Sequence, residues 1–463
     1  MLRVFKHHVP KSLVILGLLE ALVLMASIEF GARLRLESID TTVTPFLERL
    51  PATLTFTAIV YIAMLAVGMY QQECCRDLRM TFIRMVAAFA GSMAVMALVF
   101  YITPQLLIWR SIAAIALIFA TVGIMVTRYV FQHVVDMSVF KRGIVVLGAG
   151  KRAAKIRELE RRGNSAGFRV MSYVRMRDDE TEIPDAKPGE EIDSLHDFVD
   201  QLQVHELVLA NEERRGTMPV SELIQCKLRG MRIFDLNQFL ERETGKVELE
   251  GLQPSWIIFS DGFTFTKEAN AVLKRLFDIM ASLGLLILTL PILIIAALLI
   301  KLTSAGPVFY RQERIGKFGK RFNVIKFRSM YVNAEDRSGP QWAEENDPRI
   351  TPIGRLLRIT RIDEIPQIFN VLMGDMSFVG PRPERSVFVN ELAKEIPFYA
   401  ERHAVKPGIT GWAQLNYPYG ASVQDARAKL EYDLYYVKNF SVFLDLLILI
   451  QTVRVILWQN GVR

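Results

Sequence analysis

The stretch RIDEIPQIFNVLMGDMSFVGPRP spans residues 361–383. Ile362, Ile365, Ile368, Phe369 and Leu372 recur at helical spacing, and Gly374 is placed to stop the helix. Proline is tolerated in the first turn of a helix and not beyond it, so Pro366 sets the start near Asp363. The spacing therefore predicts a helix with two adjacent carboxylates, Asp363 and Glu364, at its N-terminus. Free N–H groups and the helix dipole favour anions there, phosphate included. Read alone, the stretch leaves two roles open for Asp363: a helix cap, or half of a working carboxylate pair.

The neighbours bear on that choice. Arg358 and Arg361 precede the pair, and Arg382 is held between Pro381 and Pro383. Upstream, VIKFRSM (324–330) alternates like a strand and offers Lys326 and Arg328. Arg311, Arg314 and Lys317 lie in what reads as a glycine-containing turn region. Several cations beside two carboxylates suit a diphosphate–metal site. Mg2+ takes one or two carboxylates together with phosphate oxygens, and fixed cations stabilise charge during phosphoryl transfer. A solvated charged surface explains any one of these residues but not their density beside membrane-type sequence.

That membrane-type sequence is extensive. Hydrophobic residues make up 51% of the chain, and four apolar runs fill its first third: Leu13–Phe30, Ala52–Tyr70, Met85–Ile102 and Leu106–Phe131. Each is long enough to cross about 30 Å of hydrocarbon as a helix. The first carries Glu20 and Glu29 and lacks a small-residue cleavage site, so it does not read as a cleavable signal. Glu20 reads as a buried packing or oligomer contact, with a functional role as the alternative. Basic residues around the loops favour both termini inside.

A fifth apolar run, 276–301, has Pro291 near its middle and basic residues at both ends. A break there would let the helix enter and leave the bilayer on one face, as a re-entrant helix; a kinked span is the alternative. Near the C-terminus, Asp445 and Arg454 interrupt VFLDLLILIQTVRVILW, which favours a helix lying in the interface.

Between the fourth and fifth runs, GIVVLGAG reads as a buried strand entering a glycine turn. The alternation that follows argues a Rossmann-like α/β unit. GAGKRAA (148–154) fits G-x-G-x-x-A through Gly148 and Gly150, a weak cofactor signal. A working NAD site needs an acidic residue closing the second strand. That strand ends near Val174–Arg175, and Asp178 lies too far along, so a degenerate structural or regulatory fold is expected. The net charge of +7 suits an anionic membrane face or a phosphate substrate, and no nucleic-acid partner is expected. Three cysteines, Cys74, Cys75 and Cys226, have no metal spacing and point to a reduced compartment.

Residues 273–463 resemble the bacterial sugar transferases, the polyprenyl-phosphate hexose-1-phosphate transferases, also called monotopic phosphoglycosyl transferases. The resemblance rests on LKRLFDI, GPVFYRQERIG, FNVIKFRSM, the 361–383 stretch, RHAVKPGITGWAQ and DLYYVKN, in that order. The whole chain is similar to the large members that initiate exopolysaccharide assembly. The resemblance implies residues 1–135 as a four-helix transmembrane region, 136–245 as the Rossmann-like domain and 246–272 as a linker. It implies 273–463 as an α/β catalytic domain with the re-entrant helix 276–301. It further implies that Asp363 attacks the β-phosphate of a UDP-sugar and that UMP leaves. A polyprenyl phosphate then takes the sugar phosphate from the aspartate. Glu364 becomes a Mg2+ ligand, Arg358 and Arg382 phosphate ligands with Pro381 and Pro383 framing the latter, and Lys326 and Arg328 helpers. Membrane lipid is a further partner, and a homo-oligomer, a dimer, is expected. The catalytic domain is expected on the cytoplasmic face of a bacterial inner membrane. LNYPYGAS (415–422) departs from the small members, so no sugar specificity carries over.

Two other classes share parts of this pattern. A membrane-anchored nucleotide-sugar dehydratase or epimerase needs a second dinucleotide fingerprint and a Tyr-x-x-x-Lys pair, and no lysine in the chain has a tyrosine four residues before it. A non-catalytic assembly scaffold has no need of the Asp-Glu pair.

Overall fold

The computed structural model describes residues 2–4, 7–9, 11–38, 45–71, 74–75, 77–133, 141–161, 167–176, 182–211, 218–252, 254–260, 262–263, 268–332, 347–418, 420 and 422–458. Asp178 lies outside them. The chain divides into two compact units, meeting at Gly245 and Lys246.

The first unit opens with four helices: α1 (Lys11–Glu37), α2 (Phe46–Ala66), α3 (Leu78–Ile102) and α4 (Arg110–His133). Each is long and apolar enough to cross a membrane. Both carboxylates of α1 that raised questions in the sequence are paired. Glu20 is fully buried and meets Arg128 of α4 at 2.6 Å; Glu29 meets Arg49 of α2 at 2.6 Å. Arg128 also donates to the Met69 carbonyl and to Thr81 Oγ1, tying in the α2–α3 connection. The packing role expected for Glu20 is therefore the one its geometry displays.

The same unit continues with five parallel strands, β1 (Arg142–Leu147), β2 (Phe168–Arg175), β3 (Lys187–Pro188), β4 (Glu206–Leu209) and β5 (Arg232–Asp235), in the order β3-β2-β1-β4-β5. Helices α5 (Lys151–Arg161), α6 (Leu195–Gln201), α7 (Val220–Leu228) and α8 (Leu236–Thr244) connect or follow them. Apolar clusters on the two faces of β1 cover the sheet: Ile144 and Val146 look one way, Val145 and Leu147 the other. Gly148 has φ 132°, and a Cβ there would sit 2.6 Å from the Ala210 carbonyl, so only glycine fits.

The second unit is built on α9 (Glu268–Thr303). The helix runs unbroken through Pro291; the interruption expected there is absent from the backbone pattern, although the proline still removes one helical hydrogen bond. A hairpin follows, β6 (Phe309–Ile315) antiparallel to β7 (Arg321–Phe327), with Tyr310 opposite Lys326. Arg311 and Arg314 thus lie on a strand, and only Lys317 lies in the turn. Next come α10 (Pro352–Ile359), a short 3-10 helix (Ile362–Gln367) and α11 (Ile368–Met373). Strand β8 (Ser377–Val379) pairs in parallel with β9 (Gly408–Thr410), with α12 (Ser386–Glu395) between them. The chain closes with α13 (Trp412–Asn416), α14 (Val423–Asn439) and α15 (Val442–Trp458).

Val247, Leu249 and Leu252, in the stretch read as a linker, are buried in the main core of this unit with Leu430, Leu434 and Tyr435. The Val247 N–H donates to the Glu431 carbonyl, and Lys246 pairs with the Glu431 carboxylate at 2.7 Å. A second core holds the other half of α9, where Leu293, Ala296 and Ile300 pack on Phe327 and Leu357.

Candidate active site

The two carboxylates stand on the 3-10 helix, one turn before α11, rather than on the first α-helical turn. Pro366 has no N–H to offer the Ile362 carbonyl, so the α-helical bond pattern begins only at Ile368. Arg361 enters this turn in the left-handed conformation, φ 59°, a strained position for a side chain of its size. Gly374 ends α11 with φ 93°, as its place in the sequence requires.

Three neighbouring elements supply the cations. Lys326 comes from β7, one residue before its end. Arg358 comes from the last turn of α10 and donates to Ser329 Oγ at 3.0 Å. Arg382 comes from the Pro-Arg-Pro loop after β8. That loop is pinned closely: a Cβ on Gly380 would sit 2.3 Å from the Lys406 carbonyl, and the Gly408 N–H donates to the Pro381 carbonyl at 2.9 Å. Pro383 offers its carbonyl to Arg314.

Lys326 Nζ and an Arg382 N–H both donate to Glu364 Oε1, each at 2.8 Å. Among the described residues, Oε2 accepts no hydrogen bond. Burial raises the Glu364 carboxyl, but Arg382, Lys326 and Arg361 outweigh it and hold the group well below the usual carboxylate range. Burial pulls the Lys326 ammonium down in spite of Glu364. Asp363 is only 8% exposed, and its Oδ1 is buried with no hydrogen-bond partner among the described residues. Burial, reinforced by the charge of Glu364, pushes its carboxyl up to about 6; Lys326, Arg358 and Arg361 offset this only in part. Environment has thus divided two adjacent carboxylates into a neutralised one and a bare one.

Arg328 is not brought into this group. β7 ends at Phe327, the chain turns, and the Arg328 guanidinium binds the Ser304 and Ala305 carbonyls at 2.9 Å, capping the end of α9. Gly148 and Gly150 belong to the first unit and its glycine turn.

Other supporting residues escaped the sequence reading. Asn370 is fully buried; its Oδ1 accepts from the Ile325 N–H at 2.9 Å and its amide donates to the Asn323 carbonyl at 2.7 Å. It locks α11, just after the carboxylates, to the strand that carries Lys326. An amide inside the apolar run IFNVLM was the available signal. Arg402 is buried between Asp433 at 2.7 Å and the Tyr399 hydroxyl at 2.7 Å, and it donates to the Arg382 carbonyl at 3.1 Å. Its signal was an arginine and an aspartate opening two of the motif stretches.

A cavity of about 580 Å³ adjoins Glu364, with Arg361, Arg382 and Arg402 also on its lining. The Arg361 guanidinium makes no hydrogen bond among the described residues. Among those residues, no group of three or more His, Cys, Asp or Glu forms a protein-only metal cage.

Comparison with known proteins gives a consistent picture for this unit. Residues 269–459 match the family described as Bacterial sugar transferase. The chain is 44% identical over 241 residues to a UDP-N-acetylgalactosamine-undecaprenyl-phosphate N-acetylgalactosaminephosphotransferase of Aeromonas hydrophila, covering 52% of this chain and 56% of that one. It is 47% identical over 192 residues to an exopolysaccharide production protein of Rhizobium leguminosarum, covering 40% of this chain and 94% of the relative. It is 47% identical over 186 residues to a UDP-glucose:undecaprenyl-phosphate glucose-1-phosphate transferase of Klebsiella pneumoniae, covering 40% of each. The chain thus spans about half the length of the Aeromonas and Klebsiella proteins.

Proposed function

Since the chain belongs to the bacterial sugar transferase family, we propose that it transfers a sugar 1-phosphate from a UDP-sugar to undecaprenyl phosphate, releasing UMP, as a first membrane step of exopolysaccharide synthesis. The observation that carries the reading is the divided carboxylate pair. Asp363 keeps a buried oxygen without a hydrogen-bond partner among the described residues, while Glu364 is neutralised by Lys326 and Arg382.

An Asp363 carboxylate oxygen attacks the β-phosphorus of the UDP-sugar. The bond from that phosphorus to the bridging oxygen breaks, and UMP leaves with the electron pair. A phosphate oxygen of the lipid then attacks the same phosphorus, the aspartyl bond breaks, and the carboxylate is regenerated. Each step exchanges one P–O bond for another and needs no net proton transfer. A carboxylate is a weak nucleophile, so the work falls on position and on cations around the electrophile. Arg358, Arg361 and Arg382 hold phosphate oxygens; Pro381, Pro383 and Arg402 hold the Arg382 backbone. Lys326 sets the position of Glu364, and Arg328 serves the end of α9.

The donor set fits Mg2+. Asp363 Oδ1 and Glu364 Oε2 are hard oxygen donors, too few for a cage and sufficient once phosphate oxygens join. Mg2+ held by Glu364 would supply charge neutralisation on the diphosphate.

The helix α9 is read as re-entrant, on the cytoplasmic face of the inner membrane. Both of its ends rest on the same α/β unit. Arg275 donates to the Val371 and Leu372 carbonyls near one end, and Arg328 caps Ser304 at the other. The first unit's helices then serve as anchor and as the place for self-association into a dimer.

The relatives differ in their sugar, so the test is UMP release from a panel of UDP-sugars, with and without undecaprenyl phosphate, and intact-mass detection of the sugar-phosphoryl adduct. The expected result is UMP release with one or a few donors and a mass increment mapped to Asp363. Transfer with no adduct on Asp363 under quench would overturn the covalent route. In Glu364→Gln, the Mg2+ concentration for half-maximal rate should rise about tenfold; a wild-type titration would remove Glu364 from the metal.

A further inference from the structure

The lining of the cavity beside Glu364 mixes two kinds of side chain. Arg361, Glu364 and Arg382 belong to it, with Lys429 and Asp433. So do Ala281 and Leu285 of α9, Leu449 and Val453 of α15, and Phe378. Among the described residues of this unit, α9 is the helix long and apolar enough to cross a bilayer. α15 is mostly apolar in sequence, interrupted by Asp445, Gln451, Thr452 and Arg454, and its Leu446, Val453 and Leu457 are 47%, 42% and 56% exposed. Val453 thus belongs both to the cavity wall and to an exposed apolar face. The cavity therefore shares lining residues with both the cationic site and a membrane-type surface, and its volume is that of a typical ligand site.

Of the two substrates in the proposed reaction, one can use such a wall. The base, ribose, diphosphate and sugar of the donor are polar throughout, and contact with leucine and valine forfeits their hydrogen bonds. The acceptor is a phosphate on an isoprenoid chain. It gains from burying methyl-rich units on exactly this kind of surface while its head reaches the cations. Arg382 is already engaged with Glu364, whereas the Arg361 guanidinium is held in the cavity by a strained backbone.

Resting on the function proposed above, we propose that the wall formed by Ala281, Leu285, Leu449 and Val453 is the subsite for the first isoprene units of the acceptor, and that it delivers the lipid phosphate to Arg361. The lipid enters from the α15 side, past Val453.

The test uses the full chain in detergent micelles, with undecaprenyl phosphate and the UDP-sugar chosen from the panel. Two rates are measured: complete transfer, and exchange of labelled UMP into the UDP-sugar without lipid, which reports the first half-reaction. Ala281→Trp fills the apolar wall and should raise the KM for undecaprenyl phosphate about tenfold or more. The KM for the UDP-sugar in exchange should move less than twofold. Arg361→Gln should impair transfer from preformed adduct more than adduct formation. A raised KM for the UDP-sugar, with the lipid KM unmoved, would give the wall to the donor and overturn the proposal. Unchanged kinetics for both substrates would overturn it as well. If Ala281→Trp does not fold, Val453→Asp at the exposed rim makes the same comparison. Failure of the wild-type protein to exchange UMP would instead refute the covalent route, and the lipid KM of the variants would still decide the subsite.

Discussion

At the scale of single residues, Asp363 shows what a buried, partnerless carboxylate costs and what it provides. Its carboxyl is pushed up to about 6 by burial and by Glu364. The attacking form is the anion, so acid that protonates Asp363 should lower kcat/KM. The sign for stability is the opposite of the usual carboxylate case. A raised folded-state value means that the folded protein binds the proton more tightly than the unfolded chain. The group is therefore a penalty at neutral pH, relieved as pH falls from about 6 towards 4. Asp363→Asn should abolish transfer while raising stability by on the order of 2 kcal/mol. Parallel melting curves and UMP assays check both halves; a variant that is inactive and less stable would remove the electrostatic account. The sequence made this pair legible because charge density beside apolar sequence is unusual. It misled at Arg328, since alternation says only that residues 326 and 328 share a face while the strand lasts. The strand ends between them, and a strand's end is set by pairing partners far away in the chain. Asn370 and Arg402 were hidden for a related reason: Asn370 bonds backbone groups of β7, and Arg402 bonds Asp433 of α14 and the Arg382 carbonyl, partners on other elements that no local pattern announces.

At the scale of elements, α9 keeps its helical pattern through Pro291. A proline removes one hydrogen bond, but packing of Leu293, Ala296 and Ile300 on the α/β unit continues past it. Loss of local propensity was readable; compensation by tertiary contact was not. The re-entrant reading has a direct check. Single cysteines placed near Arg275 and near Lys317, in a background without native cysteines, should both react with an impermeant reagent from the cytoplasmic side only. Labelling from opposite faces would establish a span. The pairing of Glu20 with Arg128 allows a second test. Glu20→Ala strands a buried guanidinium and should cost about 3–5 kcal/mol. Replacing both, Glu20→Leu with Arg128→Met, should recover most of it, as measured by thermal unfolding in detergent. Equal loss in the double variant would show that each side chain acts through its other contacts.

At the scale of the whole molecule, the division at Gly245 and Lys246 matters for any attempt to isolate the catalytic unit. Every site residue lies after residue 270, so chemistry should survive removal of the first unit. Val247, Leu249 and Leu252 are nevertheless core residues, each contributing about 1.5–3 kcal/mol when buried. A fragment starting at Lys246 should release UMP and melt well above one starting at Asn270; equal melting temperatures would demote the 246–252 stretch to a tether. The sequence assigned this stretch to neither unit because it is short and follows no helical or strand period, and only its burial reveals where it belongs. The paired charges among the first four helices bear on a different matter, the making of the protein. If the four helices enter a membrane in chain order, Glu20 and Glu29 arrive first and Arg49 follows soon after, whereas Arg128 emerges 108 residues behind Glu20. Until then the Glu20 carboxylate has no permanent counter-charge. The nascent chain must keep α1 beside the insertion machinery until α4 arrives. Birth order along the chain is thereby turned into an order of assembly, in which the first helix is the last to be released into lipid.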